Sequence, residues 1–254
     1  VYRLLGIARL FVVILIAVVG LLVMLLVALL PVRVKGVRLS AWICQCLARC
    51  FNAIFRVRCT CRNPHRLAQH TGFIFPNHIS YLEPIVLFSV LPVRFLAAIE
   101  VKRRPIVGQL AEAVGTIFVE RERRTSRAAA RQSIVDALRV EPQPPLVIFP
   151  EGRLGPGDRL NPFRYGAFQI AVQNNIAYLP CAIRYDPVDI AVWHGPRGES
   201  LLGALWRFAQ YPAEMHVEII PLTPIQPTSQ DDAVQLARVA EYAVARELGF
   251  ILDV

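Results

Sequence analysis

The segment FIFPNHISYLEP, residues 73–84, places an imidazole and a carboxylate five positions apart, directly after a short apolar run. Near neutral pH an unprotonated imidazole takes the proton from a hydroxyl as that oxygen attacks a carbonyl. It works best when a carboxylate holds its other ring nitrogen, fixing the tautomer and steadying the positive charge that develops. His78 and Glu83 are the right types for such a pair, and a loop-to-helix transition between them can curl to bring them together. A purely structural reading competes. Ser80 and Glu83 spell S-x-x-E ahead of the apolar residues 85–91, the signature of a helix capping box. Pro84 then falls in the first turn, where a missing amide hydrogen costs least. On that reading Glu83 caps a helix and His78 is an ordinary loop residue.

Three further stretches carry polar groups at the ends of apolar runs. In GTIFVER, residues 115–121, a strand pattern ends in Arg121, and guanidinium groups bind phosphate through paired hydrogen bonds. Arg123, Arg124, Arg127 and Arg131 follow and read as a solvated helix face. In LVIFPEG, residues 146–152, a buried strand delivers Glu151 and Gly152 into a loop with Gly155, Pro156 and Gly157. Arg153, Arg159 and Arg164 are within reach of an anion bound there. In YLPCAI, residues 178–183, Pro180 interrupts a strand, which marks an edge, a bulge or an opening in the ladder.

The elements that must position these groups follow from periodicity. Candidate strands cover residues 73–76, 93–99, 116–120, 146–150, 178–185 and 216–221. Candidate helices cover residues 84–91, 106–114, 126–140, 165–173, 201–209 and 233–248. Such alternation predicts an α/β domain, its sheet mostly parallel or mixed and flanked by helices. Ligand sites in these sheets form beyond the carboxyl ends of strands. Asn77-His78, Glu120-Arg121 and Glu151-Gly152 all fall at such ends.

The start of the chain is different. The hydrophobic fraction of 55% exceeds the usual range for soluble chains, and residues 10–30 supply much of the excess without one charge. At helical rise that run spans roughly 30 Å, the depth of a bilayer's hydrocarbon core. A signal peptide would have a shorter apolar region and a small-residue cleavage site, and Ala28-Leu29-Leu30-Pro31 is a poor one. The expectation is a transmembrane anchor over residues 1–35. Arg33, Lys35, Arg38 and Arg49 outnumber Arg3 and Arg9, so the main domain is expected on the cytoplasmic side. Residues 36–56 read as an amphipathic interfacial helix. Trp42/Ile43, Cys46/Leu47, Cys50/Phe51 and Ile54/Phe55 share one face, opposite Gln45, Arg49, Asn52 and Arg56. Residues 57–254 form the remaining domain.

The net charge of +9 suits an anionic membrane surface or acidic substrates, and no nucleic-acid-binding motif is present. The six cysteines are too few and too clustered for a disulfide scaffold. Cys59-x-Cys61 with His65 and His70 has ligand types that zinc uses. Val57, Cys59 and Cys61 alternate with Arg58, Thr60 and Arg62 as in a half-buried strand, which explains the spacing without a metal.

Taken in order, NHISYLE, GTIFVER, FPEGRLGPGDRLNPFRYGAF and YLPCAIRY resemble the four blocks of the glycerophospholipid acyltransferase family, which includes lysophosphatidic acid acyltransferases. The resemblance runs from residue 72 to 183 and more faintly to 221. It implies transfer of an acyl group from acyl-CoA or an acyl-carrier protein to the hydroxyl of a lysolipid, foremost 1-acyl-glycerol-3-phosphate. It implies His78 as base and Glu83 as its orienting acid. Arg121, Glu151, Gly152, Arg153 and Arg164 would bind the acceptor's anion, with Asn77, Ser80 and Pro180 supporting the site. No metal or other cofactor is implied. Two positions depart from the family pattern: Glu83 stands where it has aspartate, and Arg153 where it has threonine. A lysolipid without phosphate, such as lyso-ornithine lipid, stays open as acceptor, as does a non-catalytic lipid-binding role for the fold.

Overall fold

The structure is a computed structural model that describes residues 2–28, 32–120, 124–195 and 198–251. In chain order the helices are α1 Tyr2–Ala28, α2 Leu39–Phe55, α3 Pro64–Gln69, α4 Glu83–Val90, α5 Ile99–Lys102, α6 Val107–Ala113, α7 Arg124–Val140, α8 Gly166–Asn174, α9 Val188–Ala191, α10 Leu201–Gln210 and α11 Ala233–Leu248. The strands are β1 Arg33–Val34, β2 Val37–Arg38, β3 Val57–Cys61, β4 Phe73–Pro76, β5 Arg94–Ala98, β6 Ile117–Val119, β7 Leu146–Val147, β8 Tyr178–Asp186 and β9 Met215–Pro221. β1 and β2 form a small hairpin. The other seven strands form one sheet in the order β3-β9-β8-β4-β7-β5-β6. β4 to β8 all run parallel, while β9 is antiparallel to β8 and β3 is parallel to β9. The sheet is therefore mixed, as the alternation of elements predicts.

The sheet separates two apolar layers, and the pleat of β4 shows why both exist. Phe73 and Phe75 point to the layer that holds Phe168, Tyr178 and Val244, whereas Ile74 points to the layer that holds Val86, Leu87 and Phe208. All four β4 residues are buried, as expected of a parallel strand covered on both faces. The Cys59 and Cys61 side chains lie on β3 and pack against the second of these layers, in line with strand alternation.

Of the three readings that its place in a strand leaves open, Pro180 takes the bulge. β8 lies between β9 and β4, so the proline is not at an edge. It is buried opposite Phe75 of β4. Its ladder to β9 shifts register there: Cys181 faces Pro221 but Tyr178 faces Ile225, three steps against four. That one-residue bulge accommodates the missing N–H, while the Pro180 carbonyl still accepts from Leu222 N at 2.9 Å.

The N-terminal helices also differ from expectation. α1 is long and apolar enough to cross a membrane. It is not a free rod, however: it packs along its length on α2, α6 and α10. Gly6 lies against Trp206, Gly20 lies against Leu47, and Met24 is fully buried. Arg9 is buried and donates to the Ala209 and Tyr211 carbonyls at 3.2 and 2.5 Å, satisfying the end of α10. On α2 the face turned inward is Ser40, Ala41, Gln45, Ala48, Asn52 and Phe55, so Gln45 and Asn52 are buried and Cys46 and Cys50 are exposed. The small residues Ala41 and Ala48 permit close approach to α4 and α6, which the apolar moment of the sequence does not register. The outward side of α1 is therefore apolar, while the exposed positions of α2 include Arg49 beside Cys46 and Cys50.

Gly72 enters β4 at φ +104°, and a Cβ there would be driven into the Ala177 carbonyl that accepts from Phe73 N. Gly72→Ala is expected to cost more than about 1 kcal/mol of stability, read from chemical denaturation, because neither backbone can give without breaking the β4–β8 register.

Candidate active site

β4 and β7 are neighbours and parallel, so their carboxyl ends release His78 and Glu151 side by side. His78 Nδ1 lies 3.1 Å from Glu83 Oε2. The Glu83 carboxylate is 0% exposed, whereas the histidine side chain keeps 19% exposure. The other carboxylate oxygen, Oε1, accepts from Ile79 N at 2.9 Å and Ser80 N at 2.7 Å. Ser80 Oγ in turn accepts from Leu82 N at 3.2 Å. The geometry accommodates both readings of the sequence at once. One oxygen of Glu83 completes the helix-entry box and the other holds the imidazole. Pro84 sits in the first turn of α4 as expected.

The second carboxylate grips the same loop from the other side. Glu151 is 1% exposed. Its Oε1 accepts from His78 N at 2.7 Å and its Oε2 from Asn161 N at 2.9 Å. The His78 carbonyl accepts from Gly155 N at 2.6 Å, so the β4 and β7 loops are tied together twice. Asn77 is buried, with its amide spent on both backbone groups of Ile183, at 3.0 and 2.7 Å. Asn77, Ser80 and Glu151 thus hold backbone: each is buried and engaged with main chain rather than open to a ligand.

The arginines sort differently. Arg153 and Arg164 are exposed. Arg164 lies over the Gly152 turn, where a Cβ would stand 3.1 Å from its Nε. Gly152 itself has φ +71°. Arg153 reaches Asn161 Oδ1 at 3.4 Å. The structure therefore gathers His78, Glu83, Glu151, Gly152, Arg153 and Arg164 at one end of the sheet. Pro180 is set back in the sheet interior. Arg121 lies outside the described residues; β6, which leads to it, is the edge strand beyond β5.

Several contributors were not singled out from the sequence. The Phe149 ring stacks on His78 at 3.9 Å between centroids, 18° from parallel, and so fixes the imidazole plane. Asn161 supplies the second donor to Glu151. Tyr81 and Trp193 meet edge to face at 5.3 Å beside the histidine loop. Phe149 stood in the quoted F-P-E-G stretch, and its position before the glutamate was the available signal. Among the described residues no cluster of histidine, cysteine and acidic side chains has the arrangement of a metal site.

The likeness to known proteins agrees with this geometry. The solved 1-acyl-sn-glycerophosphate (LPA) acyltransferase, PlsC, from Thermotoga maritima shares the fold. The TM-score is 0.72, over 97% of this chain and 94% of that one, at 17% identity. A family profile described as Acyltransferase matches residues 58–184. The chain belongs to the acyltransferase family. Curated relatives include the lysophospholipid acyltransferase LPEAT2 of Arabidopsis thaliana, 31% identical over 70% of this chain and 32% of that protein. The lyso-ornithine lipid O-acyltransferase of Pseudomonas aeruginosa is 32% identical over 66% of this chain and 64% of its own length. A 1-acyl-sn-glycerol-3-phosphate acyltransferase of Neisseria gonorrhoeae is 30% identical over 43% and 42%. The matches span less than two thirds of each of these three relatives.

Two predictions follow from the paired carboxylates. Glu83→Gln keeps an oxygen for the helix-entry amides but turns an NH2 toward His78 Nδ1, imposing the wrong tautomer. Turnover should fall by about 10⁴-fold with little loss of melting temperature, as for other triads whose acid becomes an amide, and Glu83→Asp should retain measurable turnover. Glu83→Ala should lose both activity and stability, because both oxygens go.

Burial pushes the Glu151 carboxyl up from 4.5 to about 7, against the backbone hydrogen bonds from His78 and Asn161 that lower it. A raised folded-state value means that the folded chain holds this proton after the unfolded chain has lost it. Its contribution is complete below pH 4.5 and is lost as pH rises through about 7. Denaturation midpoints measured from pH 5 to 8 should fall more steeply for wild type than for Glu151→Gln.

Proposed function

We propose that this chain transfers an acyl group from an acyl thioester, acyl-CoA or acyl-carrier protein, to the free hydroxyl of a lysolipid. The observation that carries the reading is the His78–Glu83 contact, with a partly exposed ring held on a buried carboxylate. His78 Nδ1 faces Glu83, which leaves Nε2 to take the proton of the acceptor hydroxyl as its oxygen attacks the thioester carbonyl. The C–O bond forms, the C–S bond breaks, and the proton on Nε2 passes to the departing thiolate. No acyl-enzyme is needed, because the acceptor supplies the nucleophile. Glu83 steadies the imidazolium while it exists, and the Phe149 stack limits its rotation. Asn77, Ser80 and Glu151 keep the loop in place. Arg153 and Arg164, with Arg121, provide cations for the acceptor's anionic headgroup.

The first acceptor is 1-acyl-glycerol-3-phosphate, giving phosphatidic acid. Lyso-ornithine lipid is a second reading, supported by the longer stretch shared with the Pseudomonas relative and by Arg153 in the loop. Membrane attachment through the outward apolar side of α1 suits a reaction whose acceptor and product both reside in lipid. Arg33, Lys35 and Arg38, just after α1, favour the cytoplasmic side. Arg9 is committed to α10 and subtracts from the charge on the opposite side.

His78→Ala is expected to abolish transfer with the domain still folded. The assay is mass spectrometry of products from a lysolipid panel offered both donors in vesicles. Substantial residual transfer would remove His78 from the mechanism. Transfer to lyso-ornithine lipid but not to 1-acyl-glycerol-3-phosphate would replace the first acceptor by the second.

A further inference from the structure

The two peptide units between His78 and Ser80 are each gripped from both sides. In the first, the His78 carbonyl accepts from Gly155 N and the Ile79 amide donates to Glu83. In the second, the Ser80 amide donates to Glu83 and the Ile79 carbonyl accepts from Trp193 N at 3.3 Å. Trp193 comes from the segment after α9, so part of the histidine loop's geometry is set by residues more than a hundred positions away. What holds Trp193 is visible. Its indole Nε1 donates to the Glu199 carbonyl at 3.0 Å, and Gly195 lies so close to the ring that any Cβ there would displace it. The Glu199 carboxylate accepts from His194 N at 3.0 Å and forms a forked pair with Arg207 at 2.9 and 3.0 Å.

Arg207 uses all five of its N–H groups. Beyond the two on Glu199, Nη1 donates to the Asp189 and Ile190 carbonyls at 2.6 and 2.9 Å, and Nη2 to Val192 O at 2.6 Å. These carbonyls are at the end of α9, so the guanidinium closes that helix end and knots residues 189–193 to Glu199. The same knot meets the other site loop, because Val192 packs against Gly157. Arg207 stands on α10, which is itself fixed to α1 by Arg9 and by the Gly6–Trp206 contact. Arg207 follows Trp206 directly, about a quarter of a turn from that contact, and is not itself at the catalytic pair.

We propose that Arg207 is a positioning residue of the reaction: through Glu199 and Trp193 it fixes the Ile79–Ser80 peptide that sets Glu83 on His78. The proposal rests on the acyltransfer reading of the His78 site. Loss of the fork frees the Ile79 carbonyl, loosens the Ser80 amide on Glu83 Oε1, and lets the carboxylate turn from the imidazole. Misplacement of a catalytic group by an ångström costs about 10²-fold in rate.

The test uses the full chain in vesicles with Arg207→Lys, Arg207→Gln and the milder Glu199→Gln, which keeps Arg207 and its three carbonyl bonds. Val244→Ala, a fully buried change in α11 on the opposite layer, serves as a destabilised control. For the Arg207 variants, kcat per folded molecule is expected to fall 10- to 100-fold, with KM for donor and acceptor within about twofold of wild type. Glu199→Gln should fall between these variants and wild type. Hydrogen–deuterium exchange of residues 77–83, measured without substrate, should rise in the Arg207 variants and not in Val244→Ala. Unchanged exchange at 77–83, or a kcat loss no greater than that of Val244→Ala, would overturn the proposal. Exchange does not depend on turnover. A wild-type chain that transfers no acyl group would therefore remove the acyltransfer reading, while the exchange comparison still decides whether the brace exists.

Discussion

A carboxylate with no exposure to water must be satisfied from all sides, and that requirement at Glu83 organises the catalytic end of this protein. Its partners are two consecutive backbone amides, an imidazole and the first turn of the helix it begins. Each partner holds the charge, and the charge holds each partner. The helix start therefore sets the loop, and the loop sets the ring. A helix N-terminus also favours a negative side chain, and Glu83 stands in the first turn of α4. Glutamate rather than aspartate fits this double duty: its extra methylene lets the group reach back three residues for the cap and five for the ring.

Glu151 repeats the device from the neighbouring strand, and the two acids divide the histidine loop between them. Glu83 takes the amides of residues 79 and 80, and Glu151 takes that of His78. The charges at this end of the sheet are consequently sorted by depth. The acids are buried and spent on main chain, while Arg153, Arg159 and Arg164 remain exposed on the loop that follows β7. On the proposed reading such a site keeps its geometry when an anion arrives, because the arginines that would bind it are not the acids that align His78. Reorganisation at the moment of reaction is what such an arrangement avoids.

The elements that were legible in the sequence are those whose signal is local. β4, α4, β8 and α11 are recognisable from periodicity because the residues that define them also bury them. The His78–Glu83 pair was legible for the same reason: both partners lie within six residues. What the sequence concealed depends on distant contacts. Gln45 and Asn52 look solvent-facing on α2, yet the helix is sandwiched between α1 and α4 and turns its small residues inward. Pro180 reads in sequence as an edge, a bulge or an opening, and only the folded ladder selects the single-residue bulge that lets it sit mid-sheet. Asn161, although inside the quoted F-P-E-G block, and Arg207 gave no sign of their roles, since each acts through groups whose position only the folded chain defines.

The burial of Gln45 and Asn52 on α2 and that of Arg9 on α1 have the same physical origin. A helix as apolar as α1 offers no polar side of its own, so docking to the domain needs small residues for close approach and one polar tie for direction. Gly6 and Gly20 supply the approach, and Arg9 supplies the tie by closing the end of α10. Once α1 is docked, α2 is covered on one flank, and Trp42, Ile43, Leu47, Phe51 and Ile54 pack partly buried against the core while Cys46, Arg49 and Cys50 stay exposed. The exposed apolar face left on α1 is stable in lipid and costly in water. The helix that carries Arg207 is fastened to α1 through Arg9 and the Gly6–Trp206 contact, so the segment proposed to brace the histidine loop rests on the apolar N-terminal helix.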